Sequence, residues 1–232
     1  MRMTIAYARS LVFALIFFGG TAFYLLFVLA MLAVRRDAFM AAVRGWSFYH
    51  RFCARWIVGQ RIAIEGRVPQ EAAFYVFKHE SMFETIDLPA LLGLPMIAAK
   101  RELFDIPLWG YLARAYGLLP VDRDAGASAL RRLRTDGRAA LAAGRPLCLF
   151  AEGTRVAHGE SPPLKSGFAG LYAMLRVPVI PVAVASGAIN PRGGFLRLPG
   201  TVRYRMGEAV PPGLSRSEAE ARVHAAINAL NP

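Results

Sequence analysis

A histidine and a glutamate lie five positions apart in residues 78–88 (KHESMFETIDL). The apolar run before them, residues 72–77, predicts a short buried strand, and residues 82–92 carry apolar side chains at helical spacing. In one continuous helix His79 and Glu84 would lie roughly 140° apart. They meet only if His79 precedes the helix and Glu84 lies in its first turns, where its carboxylate fixes the tautomer and leaves the other ring nitrogen as a general base. A buried histidine beside an unrelated surface glutamate fits this stretch equally well.

A second stretch, Glu152-Gly153-Thr154-Arg155, follows a predicted strand at residues 147–150. Glycine lets the backbone approach an anion, and the arginine guanidinium offers two donors to a phosphate. Lys100 and Arg101 follow another predicted strand, residues 94–99, and taken alone they read as ordinary surface charge. Because the carboxyl ends of parallel strands share one edge, we expect these cations to converge with His79.

The composition predicts a protein that meets lipid and anionic molecules. The 232 residues are 55% hydrophobic with a mean hydropathy of +0.36 and a formal net charge of +12. This length suits one sizeable α/β domain with an appendage. The two cysteines, Cys53 and Cys148, provide neither a disulfide framework nor metal-ligand spacing, so we expect no metal site and a reducing compartment.

The apolar surplus lies at the start of the chain. Residues 11–34 carry no charge and are long enough to cross a bilayer, and too long for a signal peptide. On a following helix three arginines share one face, Arg44, Arg51 and Arg55. Opposite them are Phe39, Ala42, Trp46, Tyr49, Cys53 and Ile57. This pattern favours a helix in the membrane interface over one packed on the catalytic domain. We therefore predict a two-helix membrane-anchoring element at residues 1–58.

Strands alternate with helices through residues 59–232. We expect strands at 61–65, 72–77, 94–99, 147–150, 177–185 and 201–206, and helices at 82–92, 106–116, 127–143, 167–176 and from 216 to about 230. This alternation predicts an α/β catalytic domain with a largely parallel central sheet flanked by helices.

Four ordered blocks resemble the PlsC-type glycerolipid acyltransferase family. The His-x4-Asp block of that family corresponds to His79–Glu84, with glutamate in place of aspartate, and its Phe-Pro-Glu-Gly-Thr-Arg block to residues 150–155, with alanine in place of proline. Its basic pair leading to Val-Asp-Arg resembles residues 100–123, and its Val-Pro-x-x-Pro-Val block resembles residues 177–182. The ordered combination is specific, whereas any single block is not.

The resemblance implies the glycerolipid acyltransferase fold and a 1-acylglycerol-3-phosphate acyltransferase type of reaction. His79, oriented by Glu84, would deprotonate the free hydroxyl of a lysophospholipid as it attacks an acyl thioester. The acceptor phosphate would be bound by residues from three segments: Lys100, Arg101, Glu152, Gly153, Thr154, Arg155 and Lys165. Glu152 would act there by pairing with a cation or by contacting the glycerol. No cofactor is expected, because acyl-CoA or acyl-carrier protein is a co-substrate.

The expected partners are a lysophospholipid, an acyl thioester and membrane phospholipids, with no nucleic acid. Positive residues flanking the anchor predict the inner (cytoplasmic) membrane, with the catalytic domain on the cytoplasmic face. Three alternatives remain open from the sequence. They are an acyltransferase for another lysolipid such as lyso-ornithine lipid, a hydrolase that uses the histidine on water, and a membrane-bound binder of nucleic acid or anionic lipid.

Overall fold

The computed structural model describes residues 2–69, 71–121 and 126–232. The strands in this part of the chain are β1 (Gln60–Glu65), β2 (Phe74–Phe77), β3 (Met96–Lys100), β4 (Leu119–Val121), β5 (Leu147–Phe150), β6 (Val179–Ala185) and β7 (Gly200–Met206). They form one sheet in the order β1-β7-β6-β2-β5-β3-β4. Neighbouring strands are parallel except for β6 and β7. The predicted α/β class with a largely parallel sheet is confirmed.

Helices cover both faces of this sheet. They are α1 (Arg2–Val34), α2 (Arg36–Cys53), α3 (Met82–Leu92), α4 (Trp109–Tyr116), α5 (Gly126–Ala142), α6 (Ser166–Leu175) and α7 (Arg216–Ile227). Side chains alternate along β2: Tyr75 and Phe77 face a core built with α1, α2 and α3, whereas Phe74 and Val76 face a core built with α5, α6 and α7. Because both faces are buried, the central strands are apolar throughout their length.

The carboxyl ends of the central strands meet at one edge of the sheet. Phe77 at the end of β2 lies level with Phe150 of β5 on one side and Val182 of β6 on the other. The segments that follow these strands are therefore brought together, although they are 70 to 110 residues apart in the chain. His79 and Glu152 both lie in such segments.

The two N-terminal helices pack against each other and onto the sheet. The segment Met3–Val34 contains an 18-residue stretch with a mean hydropathy of 2.4 and is long and apolar enough to cross a membrane. Phe13 and Phe17 of α1 and Cys53 of α2 belong to the same core as Tyr75 of β2. The predicted boundary between residues 58 and 59 falls between the helical element and β1, but the apolar core is continuous across it.

The arrangement of α2 differs from the predicted interfacial helix. Arg51 does not face outward with the other two arginines but forms a two-point ion pair with buried Asp87 of α3, at 2.6 and 2.9 Å. The side chains predicted opposite the arginines are buried or pack on the core instead of facing lipid. The exposed apolar residues of this region are Phe48 and Phe52 of α2 and Trp56, in the helical turn Ala54–Val58 that extends it.

The helix predicted from residue 106 begins later, at Trp109. A short turn of tighter helix, Arg101–Asp105, follows β3, and Leu108 then has a φ of 61°, a left-handed conformation that is incompatible with an α-helix. Pro107 therefore lies before the helix and not in its first turn. Asp122 and Arg123, the end of the second resembling block, lie outside the described residues.

Candidate active site

His79 and Glu84 are in contact at the carboxyl end of β2. Nδ1 of His79 lies 3.0 Å from Oε1 of Glu84. His79 precedes α3, which begins at Met82, and Glu84 is in its first turn. This is the arrangement that the spacing requires if the two side chains are to act together. The ionised carboxylate accepts the Nδ1 proton, which leaves the Nε2 lone pair available as a base.

Ser81 begins α3 and fixes Glu84 by a capping box. The Ser81 hydroxyl accepts the backbone N–H of Phe83, and the Ser81 backbone N–H donates to Oε1 of Glu84 at 2.7 Å. The Glu80 backbone N–H donates to the same oxygen at 2.7 Å. The hydroxyls of Ser81 and Ser186 donate to Oε2 at 2.7 and 2.8 Å. The fully buried carboxylate is therefore held by the helix start and by the end of β6.

These contacts keep Glu84 ionised. Burial alone would raise the pKa of Glu84, but the hydrogen bond and charge of His79, with the donors of Ser81, hold that pKa below its ordinary value. The carboxylate thus remains negative at neutral pH and stabilises the imidazolium that forms when His79 takes up a proton.

The imidazole ring of His79 is fixed in orientation but open to solvent. It stacks on Phe150, with 4.2 Å between ring centroids, and its side chain is 16% exposed. Nε2 makes no hydrogen bond with any residue that the structure describes. A base held on one nitrogen and stacked on an aromatic ring can present the other nitrogen to a substrate hydroxyl.

The segment after β5 carries the predicted anion-binding residues. Gly153 has a φ of 71°, which favours glycine, and its backbone N–H donates to the Phe150 carbonyl at 3.0 Å. Thr154 and Arg155 are exposed at the tip of this turn. The side chain of Lys165 packs against Gly153 so closely that a Cβ atom added at Gly153 would lie 3.0 Å from the Lys165 Cγ atom. The structure therefore brings these four residues together, with Lys165, from the segment before α6, lying against the turn that carries the other three.

Glu152 is buried under this loop. Its Oε2 accepts the backbone N–H of His79 at 3.0 Å, and its Oε1 lies 3.2 Å from Nζ of Lys78. Burial raises the pKa of Glu152, and the His79 N–H and the Lys78 charge oppose that rise. Of the two arrangements expected for Glu152, the structure has the ion pair with a neighbouring cation.

Lys100 and Arg101 lie at the same edge of the sheet, where β3 ends beside β5. Both side chains are exposed, and Lys100 pairs with Glu102 at 2.9 Å. Neither forms a hydrogen bond or ion pair with the described residues of the His79 or Glu152 segments. Their role in binding phosphate stays a prediction.

Several polar residues of the site have no signal in local spacing. Lys78 is fully buried beside the base, and Glu80, also buried, accepts the backbone N–H groups of Ser186 and Gly187 at 2.8 and 2.7 Å. The second oxygen of Glu80 lies 3.0 Å from Nδ1 of His158. The one signal in the sequence is that Lys78 and Glu80 are charged and directly follow an apolar strand. This signal does not identify the residues with which they pair.

The matching family model is described as Acyltransferase and covers residues 61–185. The chain therefore belongs to the Acyltransferase family, and the protein is an acyltransferase enzyme. The predicted family resemblance and enzyme class are confirmed.

Two sequence relatives and one solved structure are similar over most of the chain. A 1-acyl-sn-glycerol-3-phosphate acyltransferase of Pseudomonas aeruginosa is 27% identical over 214 residues, covering 89% of this chain and 82% of that protein. The 1-acyl-sn-glycerol-3-phosphate acyltransferase beta of Homo sapiens is 26% identical, covering 82% of this chain and 69% of that protein. The crystal structure of the 1-acyl-sn-glycerophosphate (LPA) acyltransferase PlsC from Thermotoga maritima is 22% identical, with a TM-score of 0.75 and coverage of 99% and 98%. This last similarity establishes the fold.

Proposed function

We propose that this enzyme transfers a fatty acyl group from acyl-CoA or acyl-carrier protein to the sn-2 hydroxyl of lysophosphatidic acid, forming phosphatidic acid without a cofactor. The observation that carries the proposal is the His79–Glu84 pair with an open Nε2, next to a turn that exposes Arg155 and lies against the exposed Lys165. The relatives in Pseudomonas aeruginosa and Homo sapiens carry the name of this reaction.

The chemistry requires one base and no enzyme nucleophile. Nε2 of His79 takes the proton of the acceptor hydroxyl as its oxygen attacks the thioester carbonyl, and Glu84 stabilises the resulting imidazolium. The tetrahedral intermediate then collapses, the carbon–sulfur bond breaks, and the thiolate takes the proton back from His79. The histidine ends each cycle neutral, with its Nδ1 proton still donated to Glu84.

The acceptor phosphate supplies the binding energy that places its hydroxyl. Arg155 offers a planar pair of donors, and Lys165 adds a second positive charge beside the Gly153 turn. Holding the phosphate there makes the attack on the thioester effectively intramolecular within the complex. Lys100 and Arg101, at the next strand end, add positive potential to the same edge.

We also propose that the enzyme binds the inner (cytoplasmic) membrane, with its catalytic domain on the cytoplasmic face and membrane phospholipids around its anchor. The large apolar side chains of α1 include Leu15 and Phe23, which are 67% and 78% exposed. Such a surface is unfavourable in water and favourable in hydrocarbon. A lysophospholipid acceptor lies in the bilayer, whereas an acyl thioester arrives from the aqueous side, so an enzyme at the interface reaches both.

Transfer of labelled acyl groups in detergent tests the reaction. Acyl-CoA and acyl-carrier protein are supplied separately, each with lysophosphatidic acid, with lyso-ornithine lipid or with no acceptor. We expect label in phosphatidic acid, and a loss of at least about 100-fold in His79→Ala, since a general base contributes about 100- to 10,000-fold. His224→Gln, a change on α7, is the matched control and should remain active.

Each other outcome would change one part of the proposal. Label in the ornithine lipid alone would keep the mechanism and change the acceptor. Free fatty acid formed without any acceptor would indicate a hydrolase. Full activity in His79→Ala would contradict the assignment of the base.

A further inference from the structure

Three consecutive residues hold the loop that exposes Arg155. Lys78 pairs with Glu152 and also donates to the Glu160 carbonyl, while Glu80 pairs with His158 at 3.0 Å. Between them, the His79 backbone N–H donates to Glu152 at 3.0 Å, and the His79 carbonyl accepts the Val156 N–H at 2.8 Å. The loop of residues 152–160 is thus tied at both ends and in its middle to the segment that carries the base.

Lys78 is the unusual member of this set. Its side chain is fully buried, and besides Glu152 and the Glu160 carbonyl it contacts Oδ1 of Asn228, at the end of α7, at 2.5 Å. Removing an ammonium and a carboxylate from water costs about as much as their attraction returns, so a buried pair is weak evidence for a stabilising role. The mechanism above does not use this cation either.

The position of the pair gives it a different role. One oxygen of Glu152 lies 3.2 Å from Nζ of Lys78, and the other accepts the His79 backbone N–H, so the ammonium is the charge partner of the carboxylate that contacts the segment of the base. Arg155 lies between Glu152 and Val156, both of which are tied to His79. Lys78 contacts both ends of the loop, Glu152 and the Glu160 carbonyl, and so adds to the contacts that hold Arg155 relative to the base.

We propose that Lys78 is a positioning residue, whose buried pair with Glu152 sets the spacing between the His79 base and the phosphate bound by Arg155. The enzyme then selects acceptors in which a phosphate and the attacking hydroxyl are separated by the length of a glycerol phosphate. This inference rests on the proposed function, because it names what the loop does for a phosphate-bearing acceptor.

Variants that remove the charges together test this role. Lys78→Met alone leaves Glu152 buried without its cation and is expected to unfold easily. Lys78→Met with Glu152→Gln removes both charges, while the glutamine oxygen can still accept the His79 N–H. The matched control is Arg51→Met with Asp87→Asn, which removes another ion pair with a fully buried carboxylate that does not touch the loop.

The measurements are the unfolding midpoint in detergent, kcat, the KM for each substrate and amide hydrogen exchange across residues 153–160. We expect the Lys78→Met/Glu152→Gln variant to recover stability relative to Lys78→Met. We also expect its kcat/KM for lysophosphatidic acid to fall by up to about 100-fold, since a displacement of about 1 Å can cost that much in rate. The KM for acyl-CoA should be unchanged, and exchange should be faster across the loop.

A double variant that regains stability together with the wild-type kcat/KM for lysophosphatidic acid would overturn the proposal, and so would the same fall in kcat/KM in the control pair. If the wild type does not acylate lysophosphatidic acid, the proposed function fails, and hydrogen exchange decides the positioning role separately. Faster loop exchange in the Lys78 double variant but not in the control supports it, and unchanged exchange overturns it.

Discussion

Glu84 receives donors from every side of its pocket. The His79 ring and the backbone N–H groups of Glu80 and Ser81 point at one oxygen, and the hydroxyls of Ser81 and Ser186 point at the other. These donors serve two purposes, because the same carboxylate completes the helix cap and orients the base. A substitution at this position can separate the charge from the geometry.

Glu84→Gln is expected to keep the geometry and lose the charge. The amide oxygen can accept the three donors at the Oε1 position, while the amide nitrogen donates to the serine hydroxyls, which also accept hydrogen bonds. We expect kcat to fall about 10- to 100-fold, less than on loss of the whole base, because a neutral acceptor stabilises the imidazolium less than a carboxylate does. The KM for lysophosphatidic acid and the helical circular dichroism should not change.

Steady-state kinetics with Glu84→Ala as the reference checks this expectation, since alanine removes the cap as well as the charge. A raised KM with unchanged kcat in Glu84→Gln would assign the carboxylate to acceptor binding instead of to the base.

At the scale of residues, the sequence predicted contacts that are local and missed those that are not. The His79–Glu84 contact follows from a spacing of five across a strand–helix junction. The partners of Lys78 and Glu80 lie about 70 to 150 residues away in the chain. The pairing of β2 with β5 and β6 brings most of them near, and the packing of α7 on β2 and β6 brings Asn228. The spacing of residues along the chain does not predict such distant pairs. For this reason the sequence leaves two partners open for Glu152, a cation or the glycerol of the substrate.

At the scale of elements, the junction of α1, α2 and α3 contains a buried histidine. His50 is 1% exposed, and its ring packs on those of Phe13, Phe17 and Phe83. Burial lowers the pKa of His50 to about 3, with the charges of Arg197 and Arg51 adding to the shift. The folded state therefore holds this histidine neutral.

The pH dependence of stability follows from this depressed pKa. In the unfolded chain His50 has its ordinary pKa of 6.5 and takes up a proton as the pH falls through that value, whereas in the folded state it does not. Its contribution to stability is complete above pH 6.5 and is lost progressively as the pH falls toward 3. At pH 5 the loss is about 2 kcal/mol.

His50→Leu should remove the pH-dependent contribution of His50 to stability. The free energy of unfolding of this variant should therefore change less between pH 7 and pH 5 than that of the wild type. Denaturant titrations in one detergent at several pH values give the comparison, with His224→Gln as the control. If the free energy of unfolding changes equally with pH in the wild type and in His50→Leu, the burial of a neutral histidine at this junction is contradicted.

The faces of α2 show why the apolar pattern of a helix predicts its position in the chain but not what each of its faces contacts. Periodicity located the helix, but it could not distinguish a face that meets lipid from one that meets another helix, because both are apolar. The spacing predicts Arg51 in the outward stripe, because its buried partner, Asp87, lies on α3 and leaves no signal in the pattern of α2. Six of the strands in the described part of the chain are predicted from the sequence, since continuous apolar runs have few alternatives in a sheet that is covered on both faces. The three-residue strand β4 is missed, because its length gives no pattern.

At the scale of the whole molecule, exposed aromatic and basic side chains lie together on one surface beside α1. Phe48, Phe52 and Trp56 are 45%, 60% and 70% exposed. The guanidinium of Arg44 lies over the Phe48 ring, and that of Arg55 lies 6.0 Å from the centre of the Trp56 ring. Aromatic rings and cations at the end of an apolar helix are typical of a surface at the level of lipid headgroups.

Trp56 can report directly on this surface. In a Trp46→Phe/Trp109→Phe background it is the only tryptophan, and we expect its emission to shift to the blue when vesicles of phosphatidylglycerol and phosphatidylcholine are added. Lipids brominated near the headgroup should quench it more than lipids brominated near the chain end, because a ring on α2 would lie shallower than the centre of α1. The quenching should persist at high salt, since apolar insertion does not depend on screened charge.

Replacing both exposed arginines, in Arg44→Gln/Arg55→Gln, separates attraction from insertion. This variant should bind anionic vesicles more weakly at low salt, by about 1 kcal/mol for each charge removed. Its Trp56 emission should still shift once it is bound. If the protein binds vesicles while Trp56 is neither shifted nor quenched, α1 alone anchors the enzyme, and the aromatic face of α2 faces water. The site at the carboxyl edge of the sheet would then lie further from the bilayer surface, and the lipid acceptor would have to move further out of the bilayer to reach it.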